Sequence, residues 1–286
     1  MSLLNPQLEA FIAISKYQSV HKAAESLFIT QTAVTQRLKG LEQKLGIALF
    51  TRTRKGMRLT EEGKILLRYT QSAQMLEEDC LDQIQGKNNQ SIIRLKLSAP
   101  SSLMQTRVIP CALPILKKYP NLRLNFDVHD AENRHHILSS GEADLAILHK
   151  EHVTRELKES VLNPENYLLV GSTDFKKISL NDMVKTKPII DFDEKDQATF
   201  NYLKQYNLFD DCQKERYFVN SIDNLIELLA NGIGYSVLTE DIFNQYKNKK
   251  ITVFNYSKNY EQAVSLCWYS RPNMPEYFKD LIKAIR

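Results

Sequence analysis

Apolar residues near the start of the chain recur every three or four positions, and the breaks in that rhythm fall on capping residues. Leu8, Phe11 and Ile12, with Ser15, set a helix from Asn5 to Lys16, with Asn5 as N-cap and Pro6 at the first helical position. Ser19 caps a second helix, Val20 to Leu27, whose buried side is Val20, Ala23, Ala24 and Leu27. After a turn at Phe28 and Ile29, Thr30 caps a third helix that runs to about Leu45 and stops at Gly46. Val34, Leu38, Leu41 and Leu45 form its apolar side, the positions expected to hold it to the module. Its other side, with Gln31, Thr32, Thr35, Gln36 and Lys39, has no acidic residue. Three helices with a tight turn between the second and third predict a helix-turn-helix, in which the last helix lies in the major groove of DNA.

Beyond it the rhythm changes twice. "IALFTRTRKGMRLT" alternates around Leu49, Phe50, Met57 and Leu59 and predicts a two-stranded hairpin, a wing, with Arg52, Arg54 and Lys55 at its tip. From Glu61, capped by Thr60, a long proline-free helix follows. Leu66, Tyr69, Ala73, Leu76, Cys80 and Ile84 give it the a/d seam of a coiled coil, expected to bury Cys80 as an inert thiol. The alternative partner for that seam is the chain's own C-terminal body. "QGKNNQ", Gly86 to Gln90, reads as a hinge. Strand-like and helix-like stretches then alternate: "IIRLKLS", "LRLNFDV", "ADLAILH", "KPIIDF", "RYFVN" and "GYSVL" with helices between them. That alternation predicts an α/β body with a mostly parallel sheet and a ligand at the strands' carboxyl ends. The organisation expected is 1–60 as the winged helix-turn-helix, 61–90 as a linker helix and hinge, and 91–286 as a ligand-binding domain.

Charge sharpens this picture more than composition does. The formal net charge is +4 over 286 residues, but residues 1–68 hold eleven Lys and Arg against five Glu, a net of +6, which leaves −2 for the rest. A small basic module on a near-neutral body points to a polyanion partner, although lysines that merely solvate a surface give the same count. The Gln amide matches both hydrogen-bonding groups on the major-groove edge of adenine, and the Thr methyl packs on thymine. Cations on the hairpin suit phosphates, whose contacts set affinity and make binding fall with salt. At 43% hydrophobic the chain can bury a sizeable core. With neither a membrane-length apolar run nor a secretory leader, the expected location is the cytoplasm, with no membrane partner. Cys80, Cys111, Cys212 and Cys267 are far apart, without C-x-x-C spacing, so neither a zinc ribbon nor a disulfide framework is expected.

The run "SVHKAAESLFITQTAVTQRLKGLEQKLGIALFTRTRKGMRLTEEG" resembles the DNA-binding segment of LysR-type transcriptional regulators. The matching residues are Ala23, Ala24 and Leu27, then Thr30, Gln31, Val34 and Thr35, then "LEQKLGIALFTR" and "LTEEG". Glu62 departs from it, standing where alanine is usual. The resemblance implies that Gln31, Thr32, Thr35 and Gln36 face bases of double-stranded DNA, and that Arg37, Lys39, Arg52 and Arg54 face phosphates. It also implies a homodimer or homotetramer through the linker helix, with RNA polymerase as a further partner. The body resembles the family's effector domain, two α/β lobes like those of periplasmic binding proteins, although Thr239 in "LLANGIGYSVLTE" stands where proline is common.

"PIIDFDEKDQ", "FVNSIDNLIELLANG" and "SLCWYS" resemble the ArgP/LysG branch, which regulates basic amino-acid export, so the implied effector is lysine or arginine. The local chemistry permits it. Ser101 and Ser102 stand at a helix N-terminus suited to a carboxylate. Asp130, Glu132, Asp191 and Asp193 lie at strand ends, where they suit an ammonium or guanidinium group, and Asn220 and Ser221 open another helix. Each carboxylate is equally at home on an ordinary surface or as a helix cap. No G-x-S-x-G, G-x-G-x-x-G or P-loop is present, and His135, His136, His149 and His152 have no ligand cluster at metal spacing. Binding without catalysis, metal or cofactor is therefore expected. Two alternatives stay open: a helix-turn-helix regulator sensing an unrelated metabolite or an oxidant, and a solute-binding protein or enzyme with a basic N-terminal module.

Overall fold

Asn5, Ser19 and Thr30 each accept a backbone N–H in the first turn of the helix they open: α1 (Pro6–Tyr17), α2 (Val20–Leu27) and α3 (Gln31–Leu45). Gly46 ends α3 at φ 71°, in the left-handed region where glycine is unstrained. The computed structural model describes residues 5–54, 56–84, 92–128, 134–256, 258–271 and 274–286, with the backbone alone at 72, 75, 78, 79, 82, 83, 134 and 135. Phe11, Ile14, Ala23, Ala24, Val34, Leu38 and Leu41 form the module's core with Leu49 and Phe50. Leu45 is not part of it. At 44% exposure it lies a turn past Leu41, where α3 runs beyond the edge of the helices it packs on.

The wing pairs β1 (Phe50–Thr53) with β2 (Gly56–Leu59), in register from Phe50 opposite Leu59 to Thr53 opposite Gly56. Met57 N–H donates to Gln18 O at 2.9 Å and ties the hairpin to the end of α1. Glu42 turns its carboxylate inward to accept Leu49 N–H at 2.7 Å, anchoring the start of the wing. Thr60 accepts Gly63 N–H at 3.0 Å and opens α4 (Glu61–Ile84). On α4, Leu67 is buried and Leu66 packs against the module core, whereas Ile65, Tyr69, Leu76 and Ile84 are exposed, as is Cys80. The exposed stripe thus omits Leu66, which the module takes for itself, and the Cys80 thiol is uncovered in the protomer. Residues Gly86 to Gln90, read as a hinge, lie outside the described residues.

The chain divides into two units, of which the first also takes in Pro120–Asn125 and His135–Asp144. There Arg68 Nη1 donates to Ser139 O and Gln71 Nε2 to Gly141 O, both at 2.9 Å. The second unit is Leu97–Tyr119, Phe126–Arg134 and Leu145–Arg286. The strands from Ile93 onward belong to two sheets. One has the order β4-β3-β5-β13-β6: β3 (Ile93–Ala99), β4 (Leu122–Val128), β5 (Leu145–His149), β6 (Leu157–Val161) and β13 (Val264–Tyr269). The other has the order β11-β7-β10-β8-β9, with β12 also on β7: β7 (Glu165–Ser172), β8 (Ile189–Asp191), β9 (Arg216–Phe218), β10 (Tyr235–Thr239), β11 (Ile251–Phe254) and β12 (Tyr260–Gln262). Parallel ladders join β3 to β5, β8 to β9 and β10 to β8, but β7 and β13 run antiparallel to their neighbours. The sheets are mixed, which corrects the expectation of a mostly parallel one.

Alternation along the second sheet builds a core on each face. Leu169, Ile189, Tyr235 and Val237 pack against α8 (Leu180–Thr186) and α9 (Ala198–Gln205). Val170, Ile190 and Leu238 pack against α10 (Ile222–Ala230) and α11 (Glu240–Tyr246). Beside the first sheet, helix runs unbroken from Ser101 to Lys118, but Met104–Val108 is wound as a π-helix. Pro110 has no N–H for the Thr106 carbonyl, and Ile109 N–H bonds five residues back, to Met104 O.

Candidate nucleic-acid and effector sites

Gln31, Thr32, Gln36 and Lys39 are exposed along one side of α3, with Thr35 and Arg37 half-buried among them. Thr35 Oγ1 donates to Gln31 O at 2.8 Å, which commits its hydroxyl proton to the backbone and leaves the methyl to face outward contacts. Arg52 and Arg54 are exposed on the wing; Lys55 lies outside the described residues. The helix face is free of carboxylates: Glu42 is spent on Leu49 N–H, and Glu61 pairs with Lys64 at 2.7 Å. The hydrogen bond from Lys64 and its charge hold the Glu61 carboxyl below its ordinary range.

In the second unit a cavity of about 320 Å³ opens where the carboxyl ends of strands from both sheets meet. Ser101 and Ser102 line it, at the start of the helical run that follows β3. Ser102 Oγ donates to Glu165 Oε1 at 2.8 Å, and Tyr167 OH donates to the other oxygen of that buried carboxylate. Asp193 also lines the cavity, in the loop after β8, and its Oδ1 accepts Lys195 N–H at 2.7 Å and Asp196 N–H at 2.9 Å. Asp191 lies elsewhere, 1% exposed in the core, where it meets Arg216 Nη1 at 2.8 Å and accepts Thr199 Oγ1 at 2.6 Å. Asn220 is exposed and Ser221 is the N-cap of α10; the residue of that turn that lines the cavity is Ile222. Asp130 and Glu132 lie outside the described residues.

The lining includes groups outside the residues expected to bind the effector. Glu151, Asp196, Lys195 and Thr239 border the cavity, as do His149 and His152, whose rings stack edge-on at 6.2 Å and which the sequence reading had set apart from any site. Burial raises the Asp196 carboxyl above its ordinary range, opposed by the amides of Ala198 and Phe192 that it accepts. Thr239, in place of the usual proline, accepts Ile242 N–H at 3.4 Å and caps α11, so the turn is built with a different residue. The signal available in sequence was position: His149 and Thr239 end their strands, and Glu151, His152, Lys195 and Asp196 follow within a few residues of a strand's carboxyl end. Among the described residues, no group of three or more His, Cys, Asp or Glu is placed to hold a metal ion.

Residues 6–64 match the bacterial regulatory helix-turn-helix protein, lysR family, and residues 89–286 match the LysR substrate binding domain. The chain belongs to the LysR family. This LysR-type transcriptional regulator is 29% identical over 230 residues to the HTH-type transcriptional regulator ArgP of Escherichia coli (strain K12 / DH10B), covering 79% of this chain and 76% of that protein. Its fold is similar to that of ArgP from Mycobacterium tuberculosis, with a TM-score of 0.81, 20% identity and coverage of 99% and 97% of the two chains. It is similar too to full-length LysG from Corynebacterium glutamicum with bound effector arginine, with a TM-score of 0.79, 18% identity and coverage of 99% and 96%. These relatives carry the names of the branch that the sequence resembles. Among the described residues of this LysR-type regulator, no helix is long and apolar enough to cross a membrane.

Proposed function

We propose that this regulator senses a basic amino acid, arginine or lysine, in the 320 Å³ cavity and adjusts its grip on double-stranded DNA accordingly. The carrying observation is the lining itself: three carboxylates, Glu151, Asp193 and Asp196, with the single ammonium of Lys195, face a helix start at Ser101 and Ser102. A ligand with a carboxylate at one end and a cation at the other meets complementary charge at both. The arginine bound in the LysG structure supports the same reading. A volume in the low hundreds of cubic ångströms suits a single amino acid.

The proposal extends to the rest of the molecule. Gln31, Thr32, Thr35 and Gln36 read base edges; Arg37, Lys39, Arg52 and Arg54 hold phosphates. Residues 1–60 bind DNA, 61–90 form the linker and 91–286 bind the effector. The protein works in the cytoplasm as a homodimer or homotetramer, engages RNA polymerase, and binds its ligand without transforming it. An effector acts only through differential affinity for two states of that assembly. Thiol sensing is disfavoured at two of the four cysteines, because burial pushes the Cys267 thiol up to about 12 and Cys212 is buried as well, while Cys80 is exposed and Cys111 half-buried.

Calorimetric and thermal-shift titration of the full chain tests the effector. Arginine or lysine at about one hundred times Kd should stabilise the protein by about 2.7 kcal/mol, with citrulline and norleucine, which lack the cation, giving far less. Asp193→Asn should weaken arginine binding without lowering the unliganded melting temperature by more than a degree or two. Equal responses to arginine and norleucine would remove the charge-reading assignment.

A further inference from the structure

Gln31 is the first residue of α3, and its amide does not hang free over the reading face. Its Nε2 is 3.1 Å from His21 Nδ1 on α2, and the other ring nitrogen, His21 Nε2, is 3.3 Å from Glu25 Oε1 one turn further along α2. Glu25 as a carboxylate only accepts, so the proton of the neutral imidazole sits on Nε2 and Nδ1 presents a lone pair. Of the two ends of an amide, only the nitrogen can donate to that lone pair. His21 Nδ1 therefore takes the amide nitrogen of Gln31 and turns the amide oxygen away.

We infer that His21, oriented by Glu25, is a positioning residue that presents the Gln31 amide to DNA in one orientation and so sets a preference for adenine at one base pair of each half-site. One amide N–H is committed to His21, which leaves the second N–H as donor and Oε1 as acceptor. Adenine offers the matching pair in the major groove, the N7 acceptor and the N6 amino donor. A half-turn of the amide exchanges donor and acceptor and mismatches both. Guanine, with acceptors at N7 and O6, satisfies only one of the two groups in either orientation. Free in solution the amide samples both orientations, and fixing one in advance reduces what must be ordered when the complex forms. The inference rests on the base-reading role proposed above for Gln31.

Selection of duplexes by the full-length protein tests it, with the distribution at each operator position read separately from overall affinity. Gln31→Ala should abolish the adenine preference at one position. His21→Ala should lower that preference by about three- to ten-fold and leave the other positions unchanged. His21→Asn should restore it, because the Asn carbonyl accepts where Nδ1 did. His21→Lys, which only donates, should lower the adenine preference although its charge strengthens binding to every duplex. An unchanged preference in His21→Ala, with Gln31→Ala relaxed, overturns the positioning role alone. Equal loss in His21→Asn and His21→Ala marks a merely structural contribution and overturns it too. If Gln31→Ala keeps the preference, the reading role of Gln31 falls and the inference falls with it.

Discussion

Burial pushes the Asp191 carboxyl up to about 6, even though it accepts from Thr199 and lies beside the Arg216 guanidinium, because the carboxyl of Asp196 repels its charge as well. Arg216 is held in turn by the carbonyls of Glu194 and Asp196 and lies over the rings of Phe200 and Phe218. The pair therefore closes the loop that carries Asp193 and Asp196 to the cavity. Between about pH 4 and about pH 6 the folded chain keeps the Asp191 proton that the unfolded chain has released. The folded state binds more protons there, so this group's contribution makes stability fall as pH rises through that window, by up to about 3 kcal/mol, and level off above it. Urea midpoints measured across the window should show this slope in the wild type and a flatter one in Asp191→Asn. An equal slope in both would place the titration elsewhere. The sequence placed Asp191 and Asp193 together at a strand end, but a strand end has an inward and an outward side. Which carboxylate turns in was decided by Arg216, 25 residues away.

Among the elements, the helices of the module were legible because caps and spacing are local: Asn5, Ser19, Thr30 and Thr60 each bond within three residues. β7, which bonds β10 as well as β11 and β12, gave no such sign. "ENYLLVGS" packs core on both faces, so its apolar residues do not alternate with polar ones, and no turn residue pairs it with its neighbours, which lie far along the chain. β13 was unread for the same reason. At the junction of wing and α4 the backbone approaches closely. A Cβ on Gly63 would stand 2.2 Å from Leu49 O, whereas one on Gly40 would meet only the end of the Gln7 side chain. Gly63→Ala should therefore cost about 1–3 kcal/mol and loosen the wing, while Gly40→Ala, on a helix where alanine is favoured by about 1 kcal/mol, should be neutral or stabilising. Thermal melts of the two variants, with duplex binding in parallel, check the contrast.

At the scale of the whole molecule, α4 leaves Ile65, Tyr69, Leu76 and Ile84 exposed along a helix that wants a partner. A second copy of α4 is the partner we propose, and its two-fold symmetry would match a palindromic operator. Leu76→Glu should then shift the protein from dimer or tetramer to monomer in sedimentation at micromolar concentration and weaken binding to a two-half-site duplex far more than to a single half-site. Unchanged sedimentation would move the interface elsewhere. By itself the sequence determined that a basic helix-turn-helix with a wing precedes a long helix and an α/β sensor, because caps, periodicity and charge are properties of neighbouring residues. It also determined which face of α3 is free of carboxylates. Only the tertiary structure decided that Leu45 is exposed and Leu66 taken by the module, that Asp191 is locked to Arg216 while Asp193 and Asp196 line the cavity, and that His149 and His152 belong beside them. Those outcomes depend on which strands lie side by side and which side chains meet across them, and burial and charge pairing between residues far apart in the chain settle both.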